Sequence, residues 1–369
     1  MTDGPVFLAA GGTGGHLFPA EALAHALAER NVAVELVTDD RALKYGDQFP
    51  ARALHALPSA TPRGGSLFAR AAALIELANG FVQSLILLRK ARPCVVIGFG
   101  GYPTVPPLLA AHVLRIPTVL HESNGVMGKA NRFLAGRVDK IAAGLPNLQT
   151  AAALQHKVVV TGNPVRPNVL LAAQRTYPDF SDGVFRLLVT GGSQGARVMS
   201  DIVPQAIASL PENLRSRISL VQQTRQEDLA RVQAIYASAK VKADIAPFFV
   251  DLPAHMASAH FVIARAGAST VSELAVIGRP ALLVPLPHAL DQDQATNAAF
   301  LCQAGAAETV AQQAFTVDFL SCRLAQLMAA PQELAQRANA ARQLGVADAA
   351  QRLAELVLTV ATSRDRDWR

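Results

Sequence analysis

Cysteine is scarce in this chain of 369 residues. The three cysteines, Cys94, Cys302 and Cys322, form no C-x-x-C pair, so the sequence predicts neither a disulfide framework nor a zinc site. Because disulfides are rare in reducing compartments, this cysteine usage fits the cytoplasm best.

Aromatic residues make up only 5% of the chain, and no dense basic run with interleaved aromatics occurs. Nucleic-acid binding is therefore not expected. The net charge of +6 is uneven, with 15 Lys and Arg against 10 Asp and Glu in residues 1–163, and 19 against 18 in residues 164–369. The excess is either scatter or a basic face in the first half that approaches an anionic surface or substrate.

The sequence also lacks an uninterrupted apolar run of transmembrane length. The longest nearly apolar stretch, Leu67–Leu88, is broken by Arg70, Glu76, Asn79 and Gln83, whereas a spanning helix takes about 20 predominantly apolar residues. We therefore predict no transmembrane helix. Residues 67–90 are either a core helix of the first domain or an interfacial patch, in which apolar side chains enter the membrane and flanking basic residues meet anionic lipid.

What the chain does contain is a repeated alternation of short apolar runs and longer helical patterns, which favours parallel sheets covered by helices on both faces. The predicted strands are Val6–Ala10, Val32–Thr38, Cys94–Gly98, Thr118–His121 and Val158–Thr161 in the first half, and Arg186–Thr190, Ile218–Val221, Phe261–Ala264 and Ala281–Val284 in the second. The predicted helices are Ala20–Arg30, Leu67–Lys90, Val105–Leu114 and Ala130–Ala135, with further helix from Thr316 onward.

The segment G-N-P-V-R-P at Gly162–Pro167 separates the two halves, because proline and glycine at this density make a turn or linker. We predict one Rossmann-like domain over residues 1–163 and a second over residues 164–346.

Three glycine-rich loops each follow a predicted strand: G-G-T-G-G-H at Gly11–His16, G-F-G-G-Y-P at Gly98–Pro103 and G-G-S-Q-G-A at Gly191–Ala196. A strand that runs through such a turn into a helix directs backbone N–H groups at a ligand above the sheet edge, where phosphate is favoured. None of the loops has the G-x-G-x-x-G spacing of a dinucleotide site or the Lys-Ser/Thr of a P-loop. One such loop could be a simple tight turn, but three across two halves indicate a phosphate-bearing ligand.

With four further segments, the loops resemble the MurG family of glycosyltransferases, and all seven keep the family's order and spacing from residue 11 to residue 298. The four are H-E-S-N-G at His121–Gly125, T-G-N-P-V-R at Thr161–Arg166, R-A-G-A-S-T-V-S-E at Arg265–Glu273 and D-Q-x-x-N-A at Asp293–Ala298. The resemblance implies the α/β GT-B fold, two Rossmann-like domains facing across a cleft, with a last helix near residues 347–361 crossing back to the first domain. It implies transfer of N-acetylglucosamine from UDP-N-acetylglucosamine to a lipid-linked muramoyl-pentapeptide at the cytoplasmic face of the bacterial inner membrane.

The resemblance also implies the donor-binding positions. Glu273 is expected to bind the ribose hydroxyls, which a carboxylate can accept together, although Thr270 and Glu273 could instead form a helix capping box. Arg166 is expected near the donor, with a surface salt bridge as the alternative. The remaining positions expected to contact substrate are Thr13, Gly14, Gly15, Asn124, Ser193, Phe249, Ala268, Ser269, Thr270, Val271, Ser272, Gln292 and Gln294.

An inverting transferase needs one base to take the proton of the acceptor hydroxyl. His16 is our candidate, because a histidine with a near-neutral pKa at a loop-to-helix junction suits that task. A structural role is the alternative, and His121 and Glu122 are the competing candidates, Glu122 the weaker one in the site we predict. The GT-B resemblance implies that loop N–H groups and a helix dipole stabilise the UDP leaving group, so we expect no cofactor and no required metal.

Four other classes remain open from the sequence. Another GT-B transferase would differ in its acceptor, and a UDP-sugar epimerase would release UDP from the donor alone. An oxidoreductase would bind NAD, for which the glycine spacing is wrong, and a non-catalytic sensor would bind the UDP-sugar without turnover.

Overall fold

The computed structural model describes residues 4–11, 14–39, 49–59, 67–192, 195–287 and 293–363, with residues 67–70 described by their backbone alone. The chain forms two compact units. Unit 1 comprises Met1–Arg166 and Ala347–Arg369, and unit 2 comprises Pro167–Val346.

Unit 1 contains a seven-stranded parallel sheet in the order β3-β2-β1-β4-β5-β6-β7. Its strands are β1 (Val6–Ala9), β2 (Val34–Thr38), β3 (Ala53–Ala56), β4 (Val95–Gly98), β5 (Thr118–Glu122), β6 (Lys140–Ala143) and β7 (Val158–Val160). Its helices up to Arg166 are α1 (Gly14–Ala28), α2 (Leu67–Ala91), α3 (Val105–Val113) and α4 (Lys129–Ala135).

The central strands of unit 1 are apolar throughout because helices cover both faces of the sheet. Val6 and Leu8 point to the face covered by α1, whereas Phe7 between them points to the face covered by α2, α3 and α4. All three side chains are fully buried.

Helix α1 begins at Gly14, six residues before the predicted start at Ala20. The prediction was wrong because paired glycines are typical of loops and Pro19 of a helix start, yet Pro19 lies inside the helix. Gly14, Gly15 and His16 therefore form the first turn of α1.

Unit 2 contains a six-stranded parallel sheet in the order β10-β9-β8-β11-β12-β13. Its strands are β8 (Phe185–Thr190), β9 (Ile218–Gln223), β10 (Lys242–Ala246), β11 (Phe261–Ala264), β12 (Ala281–Leu283) and β13 (Ala307–Thr309). Its helices are α5 (Pro167–Ala173), α6 (Arg197–Ala208), α7 (Glu212–Arg215), α8 (Leu229–Ser238), α9 (Leu252–Ser258), α10 (Ala268–Ile277), α11 (Asp293–Gln303), α12 (Val317–Ala329) and α13 (Pro331–Gln343).

The last described helix, α14 (Ala349–Ser363), belongs to unit 1. It packs against α1 through Leu353, Ala354 and Val357, which are fully buried at helical spacing. The C-terminal segment of the chain thus completes the core of its N-terminal unit.

Candidate active site

The imidazole of His16 lies against the backbone of the second glycine loop. A Cβ atom at Gly100 would be 3.1 Å from His16 Cε1, and one at Gly101 would be 3.4 Å from its Cδ2. Both glycines have positive φ angles, +97° and +76°. Glycine is required here twice over, because the backbone is left-handed and because the ring occupies the space of a side chain.

The histidine pair of unit 1 is held neutral. Burial lowers the pKa of His16, and the Phe99 backbone opposes this shift. Burial lowers the pKa of His121 on β5 to about 4, opposed by the backbone of Gly162 and reinforced by repulsion from His16. His121 is completely buried beside Phe99, with ring centroids 5.4 Å apart, whereas His16 is partly exposed. A neutral imidazole can accept a proton, and His16 is the more exposed residue of the two, so it is the better candidate for a base.

Glu122, at the end of β5, is a buried carboxylate whose two oxygens each accept two hydrogen bonds. Asn124 donates from its backbone N at 3.0 Å and its Nδ2 at 3.1 Å to Oε1. Gly128 N donates at 3.0 Å and Asn131 Nδ2 at 2.8 Å to Oε2. Burial raises the pKa of Glu122, and these hydrogen bonds oppose the rise. The carboxylate thereby ties together the loop between β5 and α4.

Asn131 of α4 is a residue that the sequence reasoning missed. Besides Glu122 it donates to the carbonyl oxygen of His121 at 3.1 Å, and its Nδ2 would lie 3.4 Å from a Cβ atom at Gly100. The residue therefore links His121, Glu122 and the glycine loop beneath His16. The sequence signal was a polar residue three and four positions before the apolar Leu134 and Ala135, and therefore on the apolar face of the predicted helix.

Arg166, the last residue of unit 1 before unit 2, stacks on an aromatic ring of α1. Its guanidinium carbon lies 4.3 Å from the centroid of Phe18. The Phe18 ring in turn would lie 2.9 Å from a Cβ atom at Gly14. Gly14 thus makes room for Phe18, and Phe18 supports Arg166 by a cation–π contact.

In unit 2, the loop after β8 turns tightly. A Cβ atom at Gly191 would lie 2.1 Å from the backbone N of Ala196, and Gly192 and Gly195 have φ angles of +82° and +66°. Gly195 N donates to Gly192 O at 3.0 Å. These contacts curl the loop so that glycine is needed at all three positions.

Helix α10 begins directly after β11 with Gly267 as its N-cap, and no side chain caps it. The alternative in which Thr270 and Glu273 form a capping box is therefore wrong, because Glu273 lies in the second turn. Ser269 and Thr270 in the first turn are partly exposed, whereas Val271 is fully buried and Ala268, Ser272 and Glu273 are nearly so. The first-turn N–H groups favour a negatively charged ligand at this end of the helix.

Side chains from other elements hold the segment before α10. Arg265 donates to the carbonyls of Val284 and Pro285 at 2.9 and 3.2 Å, and to Gln312. Asn297 Nδ2 donates to Ala266 O at 3.1 Å. Burial lowers the pKa of Arg265. These contacts fix the entry into α10 from both sides.

Two other predicted donor residues of unit 2 lie at the start of α11 and directly after β10. Gln294, in the first turn of α11, accepts a hydrogen bond from Leu286 N at 3.0 Å. Phe249 follows β10, and its ring meets His255 edge-on with centroids 5.1 Å apart. Three further predicted site residues, Thr13, Ser193 and Gln292, lie outside the described residues.

Helix α2 has a buried face and an exposed apolar face. Ala73, Ser84 and Leu88 are buried at helical spacing, whereas Ile75 and Ile86 are 71% and 63% exposed. Leu74 and Val82 are also exposed. By length and composition, Ala71–Ala91 could cross a membrane. The core interpretation of residues 67–90 is thus confirmed for one face of the helix, and the interfacial interpretation of the exposed face stays a prediction.

Comparison with known proteins identifies the class. The N-terminal domain of glycosyltransferase family 28 matches residues 6–143, and its C-terminal domain matches residues 186–353. Two parallel Rossmann-like units of this kind have the GT-B architecture, so the predicted fold class is confirmed. The crystal structure of Acinetobacter baumannii MurG is similar with a TM-score of 0.79 and 29% identity, covering 96% of this chain and 99% of that one. UDP-GlcNAc 2-epimerase from Neisseria meningitidis, bound to UDP-GlcNAc, shares the fold at 17% identity, a TM-score of 0.69 and coverage of 96% and 100%.

Two further relatives are more similar to this chain in sequence than these two structures are. UDP-N-acetylglucosamine–N-acetylmuramyl-(pentapeptide) pyrophosphoryl-undecaprenol N-acetylglucosamine transferase from Methylobacterium sp. (strain 4-46) is 56% identical, over 96% of both chains. The protein of the same name from Nitrobacter hamburgensis is 52% identical, over 98% of both. The chain therefore belongs to glycosyltransferase family 28 and, within it, to the MurG family, as the motifs predicted.

Proposed function

We propose that this enzyme transfers N-acetylglucosamine from UDP-N-acetylglucosamine to the muramoyl 4-hydroxyl of undecaprenyl-diphospho-MurNAc-pentapeptide, lipid I, giving lipid II for peptidoglycan synthesis. The observation that carries this proposal is the likeness to transferases of that name over nearly the whole chain. The glycine loops support it, since one lies against the imidazole of His16 and the loop after β8 turns tightly at Gly191, Gly192 and Gly195.

In the reaction, the acceptor oxygen forms a bond to the anomeric carbon of N-acetylglucosamine with inversion. The bond between that carbon and the β-phosphate oxygen breaks, and UDP leaves with the electron pair. The hydroxyl proton passes to His16, which its lowered pKa keeps in the neutral, accepting form. Glu122 is the poorer base because four hydrogen bonds already occupy its carboxylate, and His121 is poorer because it is completely buried.

Unit 2 supplies the donor site in this proposal. The N–H groups of the Gly191–Gly195 loop and of the first turn of α10 take the charge that develops on UDP. Glu273 accepts the ribose hydroxyls, and the backbone at Phe249 meets the uracil. The further substrate contacts we propose are Ser193, Ala268, Ser269, Thr270, Val271, Ser272, Gln292 and Gln294 in unit 2, and Thr13, Gly14, Gly15, Asn124 and Arg166 in unit 1. The completely buried Val271 can contribute only through its backbone.

One assay tests the transfer. Purified enzyme is incubated with UDP-N-acetylglucosamine, with and without lipid I, and UDP release and lipid II are measured. We expect both products only with lipid I, and unchanged rates in EDTA. UDP release from the donor alone would indicate an epimerase, and donor binding without turnover a sensor. Strict dependence of donor binding on a divalent cation would contradict the metal-free site.

We also propose peripheral attachment of unit 1 to the inner face of the cell membrane through α2. The exposed Ile75 and Ile86 enter the interface, and Arg89 and Lys90 meet anionic lipid. Sedimentation with anionic vesicles should fall in salt and in a variant with Ile75→Ser and Ile86→Ser. Leu171→Ser in unit 2, at a side chain 65% exposed, is the matched control and should bind like the wild type. Equal vesicle binding by the two variants would contradict the proposal. If high salt and alkaline carbonate did not release the protein from the vesicles, a spanning helix would be indicated instead.

A further inference from the structure

Gln223, the last residue of β9, connects two loops of unit 2 that are far apart in sequence. Its side-chain oxygen accepts hydrogen bonds from Thr190 Oγ1 at 2.9 Å and from Gly191 N at 3.2 Å. Its side-chain nitrogen donates to Pro247 O at 3.3 Å. With 6% exposure, this amide is buried between the start of the Gly191–Gly195 loop and the start of the segment leading to Phe249.

The effect of Gln223 extends into the glycine loop through Thr190. The Thr190 hydroxyl that donates to Gln223 also accepts from Gly192 N at 3.4 Å. The first two amides of the loop are thus oriented by one short network. On the other side, Thr224 N donates to Ala246 O at 3.0 Å, which fixes the strand edge next to Pro247.

The chemistry of this position requires an amide. One end must accept two hydrogen bonds and the other must donate one to a carbonyl, which glutamine does and glutamate, an acceptor only, does not. Gln222, its neighbour on β9, is fully buried but points to the opposite face of the strand, where its side-chain oxygen accepts a hydrogen bond from the Tyr236 hydroxyl of α8. Gln223 therefore contacts the two loops, whereas Gln222 contacts the core.

We propose that Gln223 is a positioning residue that sets the distance between the diphosphate-binding and uracil-binding segments of the donor site. This inference rests on the proposed donor site in unit 2. A ligand that spans both segments depends on their separation, whereas a ligand that occupies only one does not.

The test compares ligands of different span on Gln223→Met and Gln223→Glu, with Gln222→Met as the matched control. Dissociation constants are measured by calorimetry for UDP, which spans both segments, and for uridine, which meets only the uracil side. Thermal unfolding monitors the fold of each variant, and Gln223→Glu, close in shape, serves if Gln223→Met fails to fold.

We expect both Gln223 variants to weaken UDP binding about tenfold or more, the equivalent of one to two hydrogen bonds, while uridine binding changes less than about threefold. The donor KM should rise in parallel, with kcat at saturating donor and the acceptor KM nearly unchanged. Equal losses for UDP and uridine, or the same loss in Gln222→Met, would overturn the positioning role. Wild-type protein that binds no UDP would overturn the donor site itself, whereas wild-type binding that Gln223→Met leaves intact would overturn only this inference.

Discussion

Each unit contains a strand, a glycine loop and a helix in succession, from β1 to α1 in unit 1 and from β8 to α6 in unit 2, but the two units surround the loop with different chemistry. Unit 1 brings two histidines and a buried carboxylate, His16, His121 and Glu122, to its glycine loops. Unit 2 brings side-chain amides and an uncapped helix start, with Gln223 on the loop and Asn297 behind α10.

We propose that this difference separates proton transfer from anion binding. A neutral imidazole can accept the proton of a hydroxyl, whereas backbone N–H groups and helix ends can hold a diphosphate without a change in their own charge. In this proposal the same supersecondary unit, used twice, supports two tasks because the residues behind each loop differ. A substitution in one unit is therefore expected to leave the task of the other unit unchanged.

The largest effect is expected for His16→Ala. Loss of a general base should lower kcat by roughly 10² to 10⁴-fold, while binding of UDP-N-acetylglucosamine changes little because unit 2 supplies most of its contacts. Steady-state kinetics with lipid I and calorimetry with the donor measure the two quantities. His25→Ala, on the same helix, is the control and should stay near wild type. Turnover of His16→Ala within a few-fold of wild type would exclude His16 as the base.

The sequence predicted the parts of this comparison that depend on local pattern. The buried strands β1, β4 and β11 were found because they carry no polar side chain, and β8 because of its apolar run Leu187–Val189. The glycine loops were found because they follow such strands. The strands β3, β6, β10 and β13 were missed, since A-L-H-A, K-I-A-A, K-A-D-I-A and A-E-T are short and each carries a polar or charged residue.

Contacts across long sequence separations could not be predicted. Gln223 meets residues 24 to 33 positions away, and Asn131 meets the strand before it. A polar residue at the end of an apolar strand indicates a site edge, but only the folded sheet shows which loops it joins. For α1, the paired glycines and Pro19 predicted a helix start that is too late, because the helix continues through Pro19.

The next largest effect concerns stability and should be confined to unit 2. The guanidinium of Arg279 is fully buried, and it donates to the carbonyls of Thr176, Ala257, Ile277 and Gly278. Burial lowers its pKa to about 10. Arg279→Met leaves those carbonyls without their donor, so we expect a loss of about 3 kcal/mol or more in the free energy of unfolding.

Hydrogen exchange resolved by segment measures this loss, with protection falling in β8 and β11 but not in β1 and β4. Arg352→Met on α14, whose partner Asp348 is exposed, is the control and should cost less than about 1 kcal/mol. Equal loss in both units would mean that they unfold as one body, which contradicts their separation into independent cores.

A smaller effect is expected when unit 2 is acidified. His260 is fully buried between Tyr177, Phe180 and Phe185, and its Nδ1 accepts from Arg186 N at 2.9 Å. Burial lowers the pKa of His260, opposed by the Asp179 carbonyl and the Asp182 carboxylate and reinforced by Arg186 and Arg279. The unfolded chain therefore binds a proton at His260 more tightly than the folded chain does. The contribution of neutral His260 to the free energy of unfolding is fully present above pH 6.5 and is lost as the pH falls below this value. Hydrogen exchange in β8 at pH 7.5 and 5.5 should show the loss, and His260→Asn, which cannot titrate, should not.

The smallest effect is a shift of a pH profile, and it tests the division of labour most directly. With its pKa lowered by burial, His16 stays neutral below the usual histidine range, so the acid limb of kcat/KM for lipid I should have its midpoint below pH 6.5. His121, at about 4, stays neutral over the same range. The dissociation constant of UDP-N-acetylglucosamine, whose diphosphate is fully ionised there, should stay flat between pH 8 and 6. An acid limb that appears equally in donor binding would place the titrating group in the donor site, and the two units would then share the proton chemistry that we assign to unit 1.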